Sequence, residues 1–88
     1  MKPKLDDVVY TNFGDGLTKT KVAYLGKETF INDHFNKGYD FGYEFYFKDY
    51  NIDWFTSFKK AKETILQNNP NTKLIKKDED YWEIIDDE

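Results

Sequence analysis

Residues 39–58 read YDFGYEFYFKDYNIDWFTSF, ten aromatic side chains in twenty positions, and lead into the start of a helix. Within this stretch Phe41, Tyr43, Phe45 and Phe47 alternate with Gly42, Glu44, Tyr46 and Lys48. A period of two is what a half-buried strand requires, because successive side chains point to opposite faces. A helix would scatter the same four rings around its circumference, and aromatic residues suit a pleated surface. The pattern predicts a central strand over 41–48 whose four rings form the core face.

Working outward from that strand, residues 49–53 read as a turn, Trp54 and Phe55 as a short apolar anchor, and Thr56 or Ser57 as an N-cap. A helix is predicted over about 57–68, where Phe58, Ala61 and Ile65 fall at i, i+3 and i+7 with Leu66 beside them. That apolar stripe is expected to lie on the aromatic face of the 41–48 strand. The run NNPN at 68–71 stops the helix, since Pro70 cannot continue it. A hairpin follows, 72–77 and 81–85 around a turn at 78–80, which sets Leu74 opposite Ile84 and Lys76 opposite Trp82. It is expected to cover an open edge of the core.

Upstream, residues 1–4 are expected to be loose, and 5–10 form a strand with Val8 and Tyr10 on one face and Val9 on the other. The NFGDG segment at 12–16 makes a loop in which glycine can take positive φ. Strands at 18–25 and 29–32 make a hairpin around Gly26, Lys27 and Glu28, and the polar residues 33–38 read as a loop. Four strands, one helix and two strands in sequence predict an α+β fold: a small antiparallel curled sheet or open SH3-like barrel of about six strands, in one domain over 1–88. DDVVY, a glycine-containing loop and TKVAYLGKETFI resemble the first three strands of SH3-like barrels. EFYFKDYNIDWFTS followed by KKAKETI is similar to small phage and mobile-element proteins in which a WFTS-type corner begins the only helix. The resemblance spans about residues 5–66 and implies a fold and an origin; it brings no catalytic residues with it.

At 88 residues only about 60 to 65% of the unfolded chain's surface can be buried, so the core must be dense in large side chains. Eight Phe, seven Tyr and two Trp supply it. There is no cysteine, which fits a reducing compartment. No apolar run approaches the ~20 residues that span a bilayer, and residues 1–20 lack a signal peptide's apolar region. A soluble, cytoplasmic protein without membrane association is therefore expected. All thirteen basic residues are lysine, so the bidentate guanidinium fork is absent. The net charge of −4 is uneven: residues 1–77 hold thirteen lysines against ten acids, whereas 78–88 hold seven acids and no base. The chain therefore ends in an acidic tail, its last residues 86–88.

Few residues invite a chemical role. His34, the single histidine, lies in a polar loop without a histidine or cysteine nearby and reads as an exposed side chain. Ser57, the single serine, is assigned to a cap, so no nucleophilic triad is predicted. Neither DGLTKTK nor DEDYWE has the spacing of an EF-hand loop, and no metal or cofactor is expected. Phe41, Gly42, Tyr43 and Tyr46 echo the RNP1 signature of RNA-recognition domains, but Glu44 replaces an apolar residue and Tyr39 and Asp40 replace the leading basic residue and glycine. Lys59, Lys60 and Lys62 crowd the start of the helix, where the macrodipole disfavours cations, and so suit an anionic partner or the chain's own acidic tail.

The expected function is a non-enzymatic protein-interaction module of phage or mobile-element type, acting on a host factor. Its contact surface is expected to comprise Tyr39, Tyr46 and Tyr50 with Lys37, Lys48, Lys59, Lys60 and Lys62. The same lysines and tyrosines give the alternative, a weak binder of single-stranded nucleic acid, and a small enzyme ranks third. Several aromatic side chains must stay partly exposed in so small a domain, which also suits a homodimer through a sheet edge or aromatic patch.

Overall fold

In the computed structural model, residues 1–34 and 42–86 are described. They form β1 (Val8–Asn12), β2 (Gly16–Leu25), β3 (Thr29–Asn32), β4 (Glu44–Tyr46), a 3-10 turn (Phe47–Asp49), β5 (Trp54–Phe55), α1 (Phe58–Asn68), β6 (Thr72–Asp78) and β7 (Tyr81–Asp86). The α+β class is as predicted, with seven strands rather than six because the Trp54–Phe55 anchor pairs as a strand of its own.

The organising strand is β2, ten residues long. Along one edge it pairs antiparallel with β1, from Val8 opposite Lys21 to Asn12 opposite Leu17. Its other edge is shared: residues 16–18 pair with β7, and residues 22–25 pair with β3. The order across the sheet is β4-β3-β2-β1-β5, with β6 attached through β7. The two ends of that order meet, because the indole Nε1–H of Trp54 donates to the Tyr46 carbonyl at 2.9 Å. The sheet is thereby curled into a half-barrel.

Cross-strand partners share a face, so the register divides the interior into two cores. Trp54 lies opposite Thr11, and with Val9, Val22 and Phe30 it fills the inside of the half-barrel. Phe55 lies opposite Tyr10 on the other face, where Leu17, Ala61 and Ile65 complete a second core. Helix α1 covers this second face, with Phe58 against Trp82 at 4.7 Å between ring centres and Leu74 and Ile84 alongside. Leu74 pairs with Ile84 and Lys76 with Trp82, as predicted for the C-terminal hairpin. Ser57 is the N-cap: its hydroxyl accepts the Lys60 N–H at 3.1 Å, and the helix ends at Asn68 just before the proline.

The prediction for 41–48 needs correction. Phe41 falls outside the described residues, and the strand is three residues long and pairs among the described residues only with β3, so it is an edge strand. At Phe47 the chain leaves the sheet: after a last bond from the Phe47 N–H to the Glu28 carbonyl, the Tyr50 N–H turns back to Phe47. Asn51, at φ 65°, completes the reversal. The facing holds in part: Phe45 and Phe47 are half-buried against the core inside the half-barrel, and Glu44, Tyr46 and Lys48 are exposed, as predicted. Tyr43, however, is 37% exposed, and the fully buried side chains are those of Phe30, Trp54, Phe55, Leu17, Val9 and Val22. Helix α1 does not cover the rings at 43, 45 and 47 either. It starts at Phe58, three residues after Phe55, and packs on the face to which Phe55 points.

Two smaller differences lie upstream. The first strand starts at Val8 instead of Leu5, because residues 4–7 make a turn in which the Asp7 carboxylate accepts the Lys4 N–H at 2.9 Å. Pro3 is buried, although the segment 1–4 reads as loose.

Replacing Trp54 with alanine should lower the unfolding free energy by about 3–5 kcal/mol in a denaturant titration, since it empties one core and releases the curl. Trp54→Phe keeps the ring but strips the Tyr46 carbonyl of its donor, at a cost of about 1–3 kcal/mol. Ser57→Ala should cost about 1 kcal/mol.

Candidate functional site

The curl sorts the surface into places where a partner or ligand could dock. The first is the outward face of β2, β3 and β4. Tyr24, Ile31 and Glu44 lie side by side across the three strands, and Thr29 and Tyr46 form the next row. Tyr24 is 60% exposed and Tyr46 47%. The Thr29 hydroxyl donates to the Glu44 carboxylate at 2.8 Å, and the Lys48 Nζ stands 5.3 Å from the centre of the Tyr46 ring. Beside them runs a groove of about 290 Å³ lined by Lys27, Glu28, Tyr46, Phe47 and Lys48.

Tyr24 is the member of this face that reading the chain missed. Strict alternation puts Tyr24 on the same face as Val22, which is core. A register shift between Val22 and Tyr24 adds a residue to β2, and Tyr24 turns outward opposite Ile31. Its apolar neighbours Val22, Ala23 and Leu25 give no sign of exposure, and a bulge leaves no composition mark.

The second place is the mouth of the half-barrel. Here Phe13, Asp15, Thr18, His34, Tyr43 and Tyr81 line a cleft of about 380 Å³. Phe13 is held by the β1–β2 loop, in which its N–H donates to the Gly16 carbonyl at 2.9 Å and Gly14 takes φ 90°. Asn32, fully buried, positions the opposite wall: its Oδ1 accepts the N–H of Tyr43 at 2.9 Å and that of His34 at 3.3 Å. Tyr81 lies directly over Gly16, where a Cβ would overlap its ring. His34 is therefore no exposed loop residue, as its polar neighbours suggest. It is 7% exposed and packs against Phe13 and Tyr43, because the Asn32 side chain turns the chain inward after β3. A third, polar groove of about 380 Å³ runs along Lys19, Thr20, Lys21, Asp33 and Asp80 in the gap between β7 and β3.

Of the residues singled out from the sequence, Tyr46 and Lys48 are brought together. Tyr50 is half-buried, with its ring 4.8 Å from that of Trp54 and its hydroxyl 2.9 Å from that of Thr56. Lys59, Lys60 and Lys62 are exposed on α1, whose buried positions are Ala61 and Ile65. Lys37 and Tyr39 lie outside the described residues, as do residues 87–88 of the acidic tail. Among the described residues no group of three or more histidine or acidic side chains is placed to hold a metal ion. No helix among them is long and apolar enough to cross a membrane.

One carboxyl is electrostatically strained. Asp53, at the surface of the turn before β5, is partly withdrawn from water and faces the Asp49 carboxylate; the first effect and then the second push its pKa up from 3.8. A raised carboxyl pKa means that the folded state disfavours the ionised form, a penalty present at neutral pH that fades as the pH falls through the folded-state pKa. Asp53→Asn should therefore raise the melting temperature at pH 7 and lose that advantage below about pH 3.8, as read by thermal melts across pH.

Comparison with known proteins found no match to a family model, a curated protein or a solved structure.

Proposed function

We propose that this chain is a non-enzymatic protein-interaction module that engages its partner through the outward face of β2, β3 and β4. The observation that carries this reading is the shared exposure of Tyr24 and Tyr46 on one face, with Ile31 between them and the Lys27–Lys48 groove at its rim. Tyrosine offers rigid amphipathic area at low entropic cost, and lysines at a rim favour an acidic partner surface. Among the described residues β4 is an edge strand, which leaves this side of the face for a partner to approach. The resemblance of residues 5–66 to small phage and mobile-element proteins supports a host factor as the partner and the cytoplasm as the compartment, and the lack of cysteine agrees with a reducing interior.

Lys48 stacked on Tyr46 would also serve a single-stranded nucleic acid, and this second reading separates from the first by salt dependence. A photo-crosslinking residue at position 46, compared with one at Gln67 on the helix, tests both. A protein adduct formed only from position 46, and weakened about tenfold or more by Tyr24→Ser, is expected. Adducts with nucleic acid alone, or equal capture from both positions, would overturn the reading. A cross-link between two copies of the chain would identify the partner surface as its own.

A further inference from the structure

We propose that the groove between the β2–β3 turn and the 3-10 turn after β4 takes an acidic segment of a partner protein, with one carboxylate on Lys27, another on Lys48 and an apolar side chain over Tyr46 and Phe47. The inference deepens the interaction reading and rests on it: it fixes where on that face the partner is gripped and by what chemistry.

The groove exists because the chain leaves the sheet at Phe47. The Phe47 N–H makes a last cross-strand bond, to the Glu28 carbonyl at 2.9 Å, and the main chain then folds away into the 3-10 turn. Across from it, the turn between β2 and β3 is closed by the Gly26 N–H on the Thr29 carbonyl at 2.7 Å. A Cβ at Gly26 would stand 3.1 Å from that same oxygen, so the turn is tight. Lys27 and Glu28 are presented by one turn, Tyr46, Phe47 and Lys48 by the other, and the Phe47–Glu28 bond ties the two together. The backbone of both walls is therefore set before a ligand arrives, which lowers the cost of binding. The groove lies at the Thr29–Tyr46 end of the β3–β4 pair, the end remote from residues 35–41, which link the two strands in sequence.

The lining selects the ligand. Lys27 and Lys48 are both exposed, and an ammonium offers three N–H donors to a carboxylate. The Lys48 Nζ stands 5.3 Å from the centre of the Tyr46 ring, which restrains the lysine and leaves N–H groups for an acceptor. Glu28 belongs to the same lining and is exposed too, so two cations share the walls with a carboxylate. A continuous run of phosphates would be repelled by Glu28. A peptide can instead set its carboxylates on the lysines and turn a backbone N–H to the Glu28 carboxylate. Tyr46, 47% exposed, and Phe47, half-buried against the core, supply apolar surface for the side chain between the two acids. At about 290 Å³ the groove is at the lower limit of sites that enclose a small molecule, roughly 300–1,000 Å³, a size that suits a few side chains of a longer chain.

The test is an NMR titration of the whole chain with the acetylated, amidated peptide GELEG, its neutral counterpart GQLQG and oligothymidylate. Saturable shifts at the amides of Lys27, Glu28, Phe47 and Lys48 are expected with the acidic peptide, and the neutral one should bind about tenfold or more weakly. Lys27→Glu and Lys48→Glu, at exposed side chains, should each weaken the acidic peptide several-fold. The double variant should instead take the reversed peptide GKLKG, an exchange that damage to the fold cannot produce. Lys59→Glu on the helix should change nothing. Equal binding of the neutral peptide, shifts confined to other residues, tighter binding of oligothymidylate at the same amides, or indifference to both charge reversals would each overturn the proposal. A protein adduct from position 46 that persists undiminished in the double variant would retain the interaction module and remove the groove from it.

Discussion

The dipeptide Trp54–Phe55 is the constraint on which the architecture rests. Neighbours in a strand point to opposite faces, so two buried rings in sequence commit the chain to two cores at once. Both side chains are fully buried: Trp54 inside the half-barrel, Phe55 beneath the helix. The indole adds a second function, since its N–H takes the Tyr46 carbonyl and draws the last strand of the sheet order toward the first. A two-residue strand thus determines the curl of a seven-stranded sheet and the face on which the helix lands.

The surfaces follow from that curl. With Phe30 and Trp54 filling the concave side at 5.0 Å, the opposite side of β2, β3 and β4 has no layer of described structure over it, and Tyr24 and Tyr46 are partly exposed there. Where β7 and β3 separate along β2, the interior turns polar. Thr11, Thr18, Thr20 and Asn32 are buried in this region, and only part of their hydrogen-bonding capacity is met within the protein. An unmet buried donor or acceptor costs about 1–3 kcal/mol, and Thr20 Oγ1 and Asn32 Nδ2 are two such groups.

Asn32 illustrates how a single buried polar residue can be worth its desolvation. Its carbonyl oxygen gathers two backbone N–H groups from residues eleven and two positions away, joining the chain before and after residues 35–41. The aromatic corner of Phe13, His34 and Tyr43 exists because that junction holds its two sides together.

Local rules made much of this legible in the chain. The C-terminal hairpin register, the Ser57 cap, the helix end before Pro70 and the strands flanking Gly26 each depend on residues close together in sequence, so composition and spacing determine them. Tyr46 and Lys48 as neighbouring exposed groups also followed from spacing alone. Tertiary structure decided the rest. Period-two alternation marks a strand's two faces without saying which of them another element will cover, and here the helix went to Phe55 and left the rings at 43 and 45 at an edge. A one-residue bulge turned Tyr24 outward, and a side chain from β3 pulled His34 inward. Such outcomes depend on contacts between segments far apart in sequence, whose energies no single segment contains.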